Sequence, residues 1–138
     1  MDPIVLAFGT ALVGAIATST WQQVRDAAAG LWRHVSAKKG DEIGTELDEL
    51  REQILQARHD GDAHTETALE GAWQLKIQQL LRAEPALAVE FRRVLEDVLT
   101  PALTPDEKAR VGTIMMMGSS HDSSTFTQIG IQTNYNRP

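Results

Sequence analysis

Residues 3–24 read PIVLAFGTALVGAIATSTWQQV, a stretch without a charged side chain. Pro3 suits a first helical turn, where its missing N–H would lack a partner anyway, and Asp2 suits the cap before it. Apolar residues then recur at steps of mostly three or four, as on one face of a helix: Val5, Phe8, Leu12, Ile16, Val24, Ala28, Leu31 and Val35. The pattern predicts one long helix over residues 3–37, ended by two lysines and the glycine stop at Gly40.

Four further helical patterns follow. The first starts at Asp41 and has a narrow apolar seam, and the second covers residues 63–83 after a break at residues 59–62. The third runs from Pro85 to a stop at residues 100–101. The last begins at Thr104, with proline next and glutamate three residues on, which is the capping-box signature. It is expected to be short and to reach the methionines at 115–117.

The predicted fold class is all-α, because no strand pattern appears before Gly118. Helices with short connections predict an antiparallel bundle of about four long helices plus a short fifth. The composition changes at residue 118, where GSSHDSS is typical of a flexible linker. We therefore expect a helical bundle domain over residues 1–117 and a disordered, cross-β-competent C-terminal tail over residues 118–138.

The tail alternates strictly with a period of two. One face carries Thr125, Thr127, Ile129, Ile131, Thr133 and Tyr135, and the other carries Phe126, Gln128, Gly130, Gln132, Asn134 and Asn136. β-Branched and aromatic residues favour strands, and Gln and Asn amides stack in register along fibrils. A lone strand after a helical bundle has no sheet to join, so identical copies would supply its hydrogen-bonding partners. The alternative is a disordered polar tail that alternates by chance.

The first helix also allows two interpretations. Small residues, among them Gly9 and Gly14, let helices approach closely, as they do within membranes. The uncharged run of about 20 residues is near the length that spans a bilayer. Either this helix sits in the bundle and enters the membrane after activation, or it is a tightly packed core helix. The residues alone favour the core helix.

Composition excludes several function classes. The net charge of −6 argues against nucleic acid as a partner, and the absence of cysteine favours a cytoplasmic protein. No Ser/His/Asp arrangement or P-loop is present, so we expect no enzyme and no cofactor. His59 and His64, with Asp60 and Asp62, could in principle hold a metal, but a solvated turn between helices explains them better. We therefore predict no metal site.

The tail resembles a known assembly motif. Thr127-Gln128-Ile129-Gly130 resembles the hydrophobic-Gln-hydrophobic-Gly core of the RIP homotypic interaction motif, with Thr where that motif usually has Ile or Val. Asn134 follows the glycine by four residues, where the motif usually has three. The segment is similar to bacterial amyloid signalling sequences, which follow helical effector domains and also occur at the N-termini of NLR-like receptors. The rest of the chain resembles the Bell domain, the bacterial counterpart of HeLo and MLKL-type bundles.

The resemblance implies a cell-death effector. A receptor with a cognate motif would template the tails into a fibril, and clustering would release the first helix to permeabilise the cell membrane. The protein would be cytoplasmic at rest and at the cell membrane after activation. The implied amyloid motif comprises Phe126, Gln128, Ile129, Gly130, Ile131, Gln132, Asn134 and Tyr135. The implied membrane-insertion residues are Ile4, Val5, Leu6, Phe8, Gly9, Leu12, Val13, Gly14 and Ile16.

Two other functions compete with this hypothesis. In the first, the tail assembles but the bundle only recruits a partner, so the protein is a non-lytic adaptor or scaffold. In the second, it is a small metal-dependent helical domain centred on His59 and His64. Dye leakage from liposomes separates the effector from the adaptor, and metal-dependent stabilisation would support the second.

Overall fold

The structure is a computed structural model that describes residues 2–123. Its helices are α1 (Pro3–Gly14), α2 (Trp21–Trp32), α3 (Ala37–His59), α4 (Ala63–Ala83), α5 (Ala88–Val94), α6 (Thr100–Ala102) and α7 (Pro105–Ser123). A 3₁₀ turn (Pro85–Leu87) precedes α5, and a π-helical turn (Leu95–Leu99) joins α5 to α6. No strand occurs within residues 2–123, so the all-α prediction is confirmed for this part of the chain.

The prediction of a single helix over residues 3–37 is wrong, because the chain breaks between α1 and α2. Thr18 donates its hydroxyl hydrogen to the Ala15 carbonyl oxygen at 2.7 Å, and its oxygen lies 3.1 Å from Thr20 Oγ1. Side-chain hydrogen bonds of this kind offer the backbone an alternative to the helical ladder. The Thr-Ser-Thr run therefore ends one helix, and Trp21 begins another.

The predicted stop at Gly40 is also wrong, since this glycine lies in the first turn of α3. Ser36 is the N-cap of that helix, and its side chain accepts a hydrogen bond from the Lys39 backbone N–H at 3.0 Å. A capping hydroxyl satisfies one of the N–H groups that have no partner within the helix. α3 therefore starts at Ala37, four residues before the predicted start at Asp41.

Three predicted helix starts are confirmed. α1 begins at Pro3, and the Asp2 side chain caps it by accepting a hydrogen bond from the Ile4 backbone N–H at 2.9 Å. α4 covers Ala63–Ala83 as expected, after a turn in which Gly61 has a φ of 68° and Asp62 caps the helix. At the start of α7, the backbone N–H of Thr104 donates to Glu107 at 2.9 Å, and that of Glu107 donates to the Thr104 hydroxyl at 3.3 Å. This reciprocal pair is the capping box that the sequence predicted.

Two helices differ in their course or length from what the sequence predicted. The predicted helix from Pro85 is interrupted by the π-helical turn, where Thr100 Oγ1 donates to the Leu95 carbonyl oxygen at 2.7 Å. Pro101 has no N–H to give to the preceding turn, so a local widening of the helix there has a covalent cause. α7 continues to Ser123, past the predicted domain boundary after Met117.

An aromatic cluster marks the centre of the core. Phe8 and Phe91 are fully buried, and their ring centroids lie 5.1 Å apart in an edge-to-face arrangement. Trp32 stands edge-to-face to both Phe91 and Trp73, each at 6.3 Å. Edge-to-face pairs place the positive edge of one ring against the negative face of the other. The residues predicted to face inward are mostly buried; Val35, which follows the end of α2, is 53% exposed and is the clear error.

The start of α3 is tested by Ser36→Ala. Because the Ser36 hydroxyl caps the helix, we expect this change to lower the free energy of unfolding by about 1 kcal/mol. Chemical denaturation measures the loss. Ser19→Ala is the control, because Ser19 is exposed and lies in the turn between α1 and α2. Equal stability of the two variants would indicate that the Ser36 hydroxyl does not cap α3.

Candidate functional site

The candidate site is α1, which lies at the centre of the described structure. Its closest neighbours are α7 and α4, followed by the π-helical turn and α5. Seven of the nine residues predicted to enter a membrane are buried: Ile4, Val5, Phe8, Gly9, Leu12, Val13 and Ile16. The other two, Leu6 and Gly14, are half-buried. In this state the predicted insertion surface is therefore covered by the other helices.

One side of α1 is polar, although the helix carries no charge. On α4, Glu66, Glu70 and Gln74 are spaced four residues apart, so they share one face of that helix. Thr10 donates its hydroxyl hydrogen to Glu70 at 2.9 Å, and Gln74 donates to the Leu6 carbonyl oxygen at 3.2 Å. The pairing places the start of α1 beside the later part of α4, so the two helices run in opposite directions.

Arg58 of α3 completes this contact. Its Nη2 donates to the Val13 carbonyl oxygen at 3.2 Å, and its guanidinium also binds both carboxylate oxygens of Glu66, at 3.1 and 3.2 Å. We call the whole set the polar seam: Leu6, Thr10 and Val13 of α1, Glu66, Glu70 and Gln74 of α4, and Arg58 of α3. Along the polar seam, backbone and hydroxyl groups of α1 are held by side chains of the two longest helices.

Two arginines bind carbonyl groups at and just beyond the C-terminal end of α1. Arg58 binds Val13 in the last turn of the helix, and Arg51 donates through Nε to the carbonyl oxygen of Ile16, in the turn that follows Gly14, at 3.3 Å. The last carbonyl groups of a helix lack intrahelical partners and carry partial negative charge. Arginine donors therefore suit this end of the helix on both counts. Glu70 also has a second partner, Arg110 of α7, whose Nη2 lies 3.9 Å away.

The two glycines of α1 have a packing explanation. A Cβ atom added at Gly9 would lie 2.4 Å from Gln74 Cγ, closer than nonbonded carbon atoms approach. One added at Gly14 would lie 3.0 Å from a methyl group of Leu103 and 3.1 Å from a carboxylate oxygen of Glu107. Glycine thus lets α4 and α7 approach the backbone of α1 closely. Close approach within one monomer is the core-helix interpretation of these residues.

The cluster of His59, Asp60, Asp62 and His64 lies in and beside the turn between α3 and α4. Asp62 accepts hydrogen bonds from the Thr65 hydroxyl and backbone N–H, which lower the pKa of its carboxyl group. Its capping contribution is therefore present above the ordinary carboxyl range and is lost as the pH falls below it. Within residues 2–117, whose side chains the structure describes, no group of three or more His, Asp or Glu side chains is arranged to hold a metal ion.

The predicted amyloid motif, residues 126–135, lies outside the described residues. Just before it, Met115 packs against the core, whereas Met116 and Met117 are exposed. In the part of the chain that the structure covers, no helix combines the length and the apolar character needed to cross a membrane. No protein-family model, curated protein or solved structure matches the chain.

Sequence reasoning missed the polar seam. The sequence does contain a pattern that corresponds to the polar seam. Polar residues 66, 70 and 74 recur every four positions on α4, beside the apolar residues that face the core. The pattern resembles an ordinary solvated helix face until the partner helix is known. What distinguishes it is Thr10, the one buried polar side chain among the described residues, in an otherwise apolar helix.

The packing of α1 against α4 is tested by Gly9→Ala. Alanine is favoured over glycine within a helix by about 1 kcal/mol, but here its Cβ meets Gln74, and overpacking costs about 1–3 kcal/mol. We expect Gly9→Ala to destabilise the protein in denaturant unfolding. In the Gln74→Ala background the obstacle is gone, and the same change should stabilise the protein by about 1 kcal/mol.

Gly71→Ala is the matched control, because Gly71 lies in α4 and a Cβ there would meet nothing within 4 Å. This change should stabilise the protein in either background. If Gly9→Ala and Gly71→Ala stabilise the native chain equally, α4 does not approach α1 as closely as described.

Proposed function

We propose that the protein is a cell-death effector, activated by amyloid templating, that permeabilises the membrane through α1. The observation that carries the proposal is the burial of α1: an uncharged, apolar helix enclosed by the other helices, beginning at the third residue. Such a helix is kept from water at rest and is suited to hydrocarbon if released. We further propose that residues 1–117 form a Bell-like antiparallel bundle, with no catalytic site and no cofactor.

The proposed trigger is the C-terminal motif. Residues 125–136 alternate with a period of two, and no charge lies between Asp122 and Arg137. An NLR-like receptor with a cognate motif would template the tails, and identical copies would then extend the fibril. Each strand would gain its hydrogen bonds from the copies above and below it. The protein would be cytoplasmic before this event and at the cell membrane after it.

Clustering supplies a physical link between trigger and membrane. Holding many copies on one fibril raises the local concentration of their N-terminal helices. α1 alone has 12 residues and is about 18 Å long at 1.5 Å per residue, against a hydrocarbon core of about 30 Å. The uncharged run continues to Val24, so released chains would extend the helix or act together.

The second candidate is a non-lytic adaptor whose tail assembles while the bundle recruits a partner. The close approach of α4 and α7 at Gly9 and Gly14 favours it, because a core helix explains both glycines without a membrane. In this alternative α1 never leaves the bundle. The two functions differ in one measurable outcome, which is membrane leakage after assembly.

The test is seeded assembly with dye-loaded liposomes of anionic bacterial lipids. A peptide of residues 118–138 should form fibres with cross-β diffraction, and these fibres should seed the full-length protein. We expect seeded full-length protein to release the dye and unseeded protein to release little. Fibre formation without leakage would identify the adaptor instead.

Gln128→Pro and Gly130→Pro are the matched tail variants. Proline lacks the backbone N–H that each strand donates within a fibril, so neither variant should form fibres or respond to seeds. Both positions follow α7 in the sequence, so we expect the thermal unfolding of the helical bundle to stay unchanged. A peptide that stays in solution at high concentration, with the circular dichroism of a random coil, would remove the trigger and with it the proposed function.

A further inference from the structure

We propose that the polar seam is an autoinhibitory latch: α1 separates from α4 along it, before the rest of the molecule unfolds. The inference deepens the proposed function, because it names the contact that holds the insertion helix at rest. It makes a separate claim, however, about where the resting protein opens. That claim is testable without a membrane or a fibril.

The two sides of α1 differ in what opening would expose. On the side of α5, Phe8 packs against Phe91 and both are fully buried, so separation there exposes apolar surface to water. Along the polar seam, the side chains of Glu66 and Glu70 are 30% and 17% exposed, already near solvent. Water can replace each of their hydrogen bonds on opening, so the net loss per bond is small.

Arginines from two other helices, α3 and α7, also bind groups of the polar seam. Arg58 joins α1 to α3 and α4 at one end, and Arg110 of α7 lies beside Glu70 near the middle. Ion pairs that reach solvent contribute about 1 kcal/mol or less, and salt screens them. The ionic part of this contact therefore adds little to the free energy needed to separate α1 from α4.

The geometry at Gly9 provides a way to lock the latch. Since a Cβ at position 9 would lie 2.4 Å from Gln74 Cγ, and the Cβ–Cγ bond adds about 1.5 Å, the two Cβ atoms would be at most about 3.9 Å apart. Disulfides need a Cβ separation of about 3.5–4.5 Å. Gly9→Cys with Gln74→Cys should therefore form a cross-link between α1 and α4, and the chain has no other cysteine.

A matched control disulfide lies away from the polar seam. A Cβ added at Gly40 would lie 2.2 Å from Arg33 Cγ, so the Cβ atoms of these two positions would be at most about 3.7 Å apart. Arg33→Cys with Gly40→Cys should thus join the end of α2 to α3. Like the seam disulfide it stabilises against global unfolding, but it leaves α1 free to part from α4.

The first measurement is native-state hydrogen exchange of the full chain, comparing amides of α1 with those of α3. If α1 opens by itself, the control disulfide should slow exchange in α3 and leave α1 unchanged within about twofold. The seam disulfide should slow exchange in α1 by about tenfold or more, and reductant should reverse this. The latch is refuted if the control disulfide slows α1 and α3 alike, because α1 then opens only with global unfolding.

The second measurement joins the latch to the proposed function. Seeded with tail fibres, the oxidised seam variant should form fibres without releasing liposome dye, and reductant should restore release to the level of the control variant. Dye release by the oxidised seam variant would contradict the latch hypothesis but would still agree with the proposed effector function. If no variant releases dye but hydrogen exchange shows the separate opening of α1, the latch stands and the effector fails.

A variant in which apolar side chains replace the central polar pair of the polar seam provides a test that needs no cross-link. Thr10→Val with Glu70→Leu replaces the central hydrogen-bonded pair with apolar side chains, and such replacements are often neutral or stabilising. We expect α1 amides in this variant to exchange about as slowly as those of α3. Separate, fast exchange of α1 despite this replacement would show that the polar contacts do not control its release.

Discussion

The burial of α1 is the constraint on which the rest of the structure depends. A helix without charge and apolar on nearly all sides has no face to present to water, so other helices must cover its whole circumference. α4 covers one side, α7 another, and α5 with the π-helical turn a third. The break at residues 15–20 keeps the amphipathic residues that follow out of this helix. They form α2, which packs mainly against α3.

Under the proposed function, release would move α1 from one apolar environment to another. The side chains of Phe8 and Leu12 are surrounded by apolar atoms in the core, and hydrocarbon would surround them with apolar atoms again. Release therefore loses close packing rather than burial from water. The contacts without a counterpart in lipid are those of the polar seam, where Thr10 and the carbonyl of Val13 meet charged side chains. Under the proposed function, the seam distinguishes the resting state from the inserted state.

The sequence predicted helical content, most of the core and three helix starts, because these depend on local patterns. Leu47, Leu50 and Ile54 recur at helical spacing and are buried, and the Thr104 capping box formed as predicted. The prediction of a single first helix was wrong, since the apolar stripes before and after residues 17–23 have the same helical spacing, whereas the Thr18 hydroxyl binds the backbone between them. The polar seam depends on which helix lies beside α1, and no local pattern contains that information.

Under the proposed function, the order of elements along the chain would place the trigger next to a helix that contacts α1. The C-terminal motif follows α7 directly, and α7 is the helix with the most extensive contact to α1. At Gly14 an added Cβ would lie 3.0 Å from Leu103, just before α7, and 3.1 Å from Glu107 in its first turn, so these neighbours would have to shift by a few tenths of an ångström. Under the proposed function, a fibril that fixes many copies of the tail also fixes their α7 helices, and α1 lies against each of them. The polar seam with α4 would then be one of the contacts to be opened, together with those that α5 and the π-helical turn make with α1.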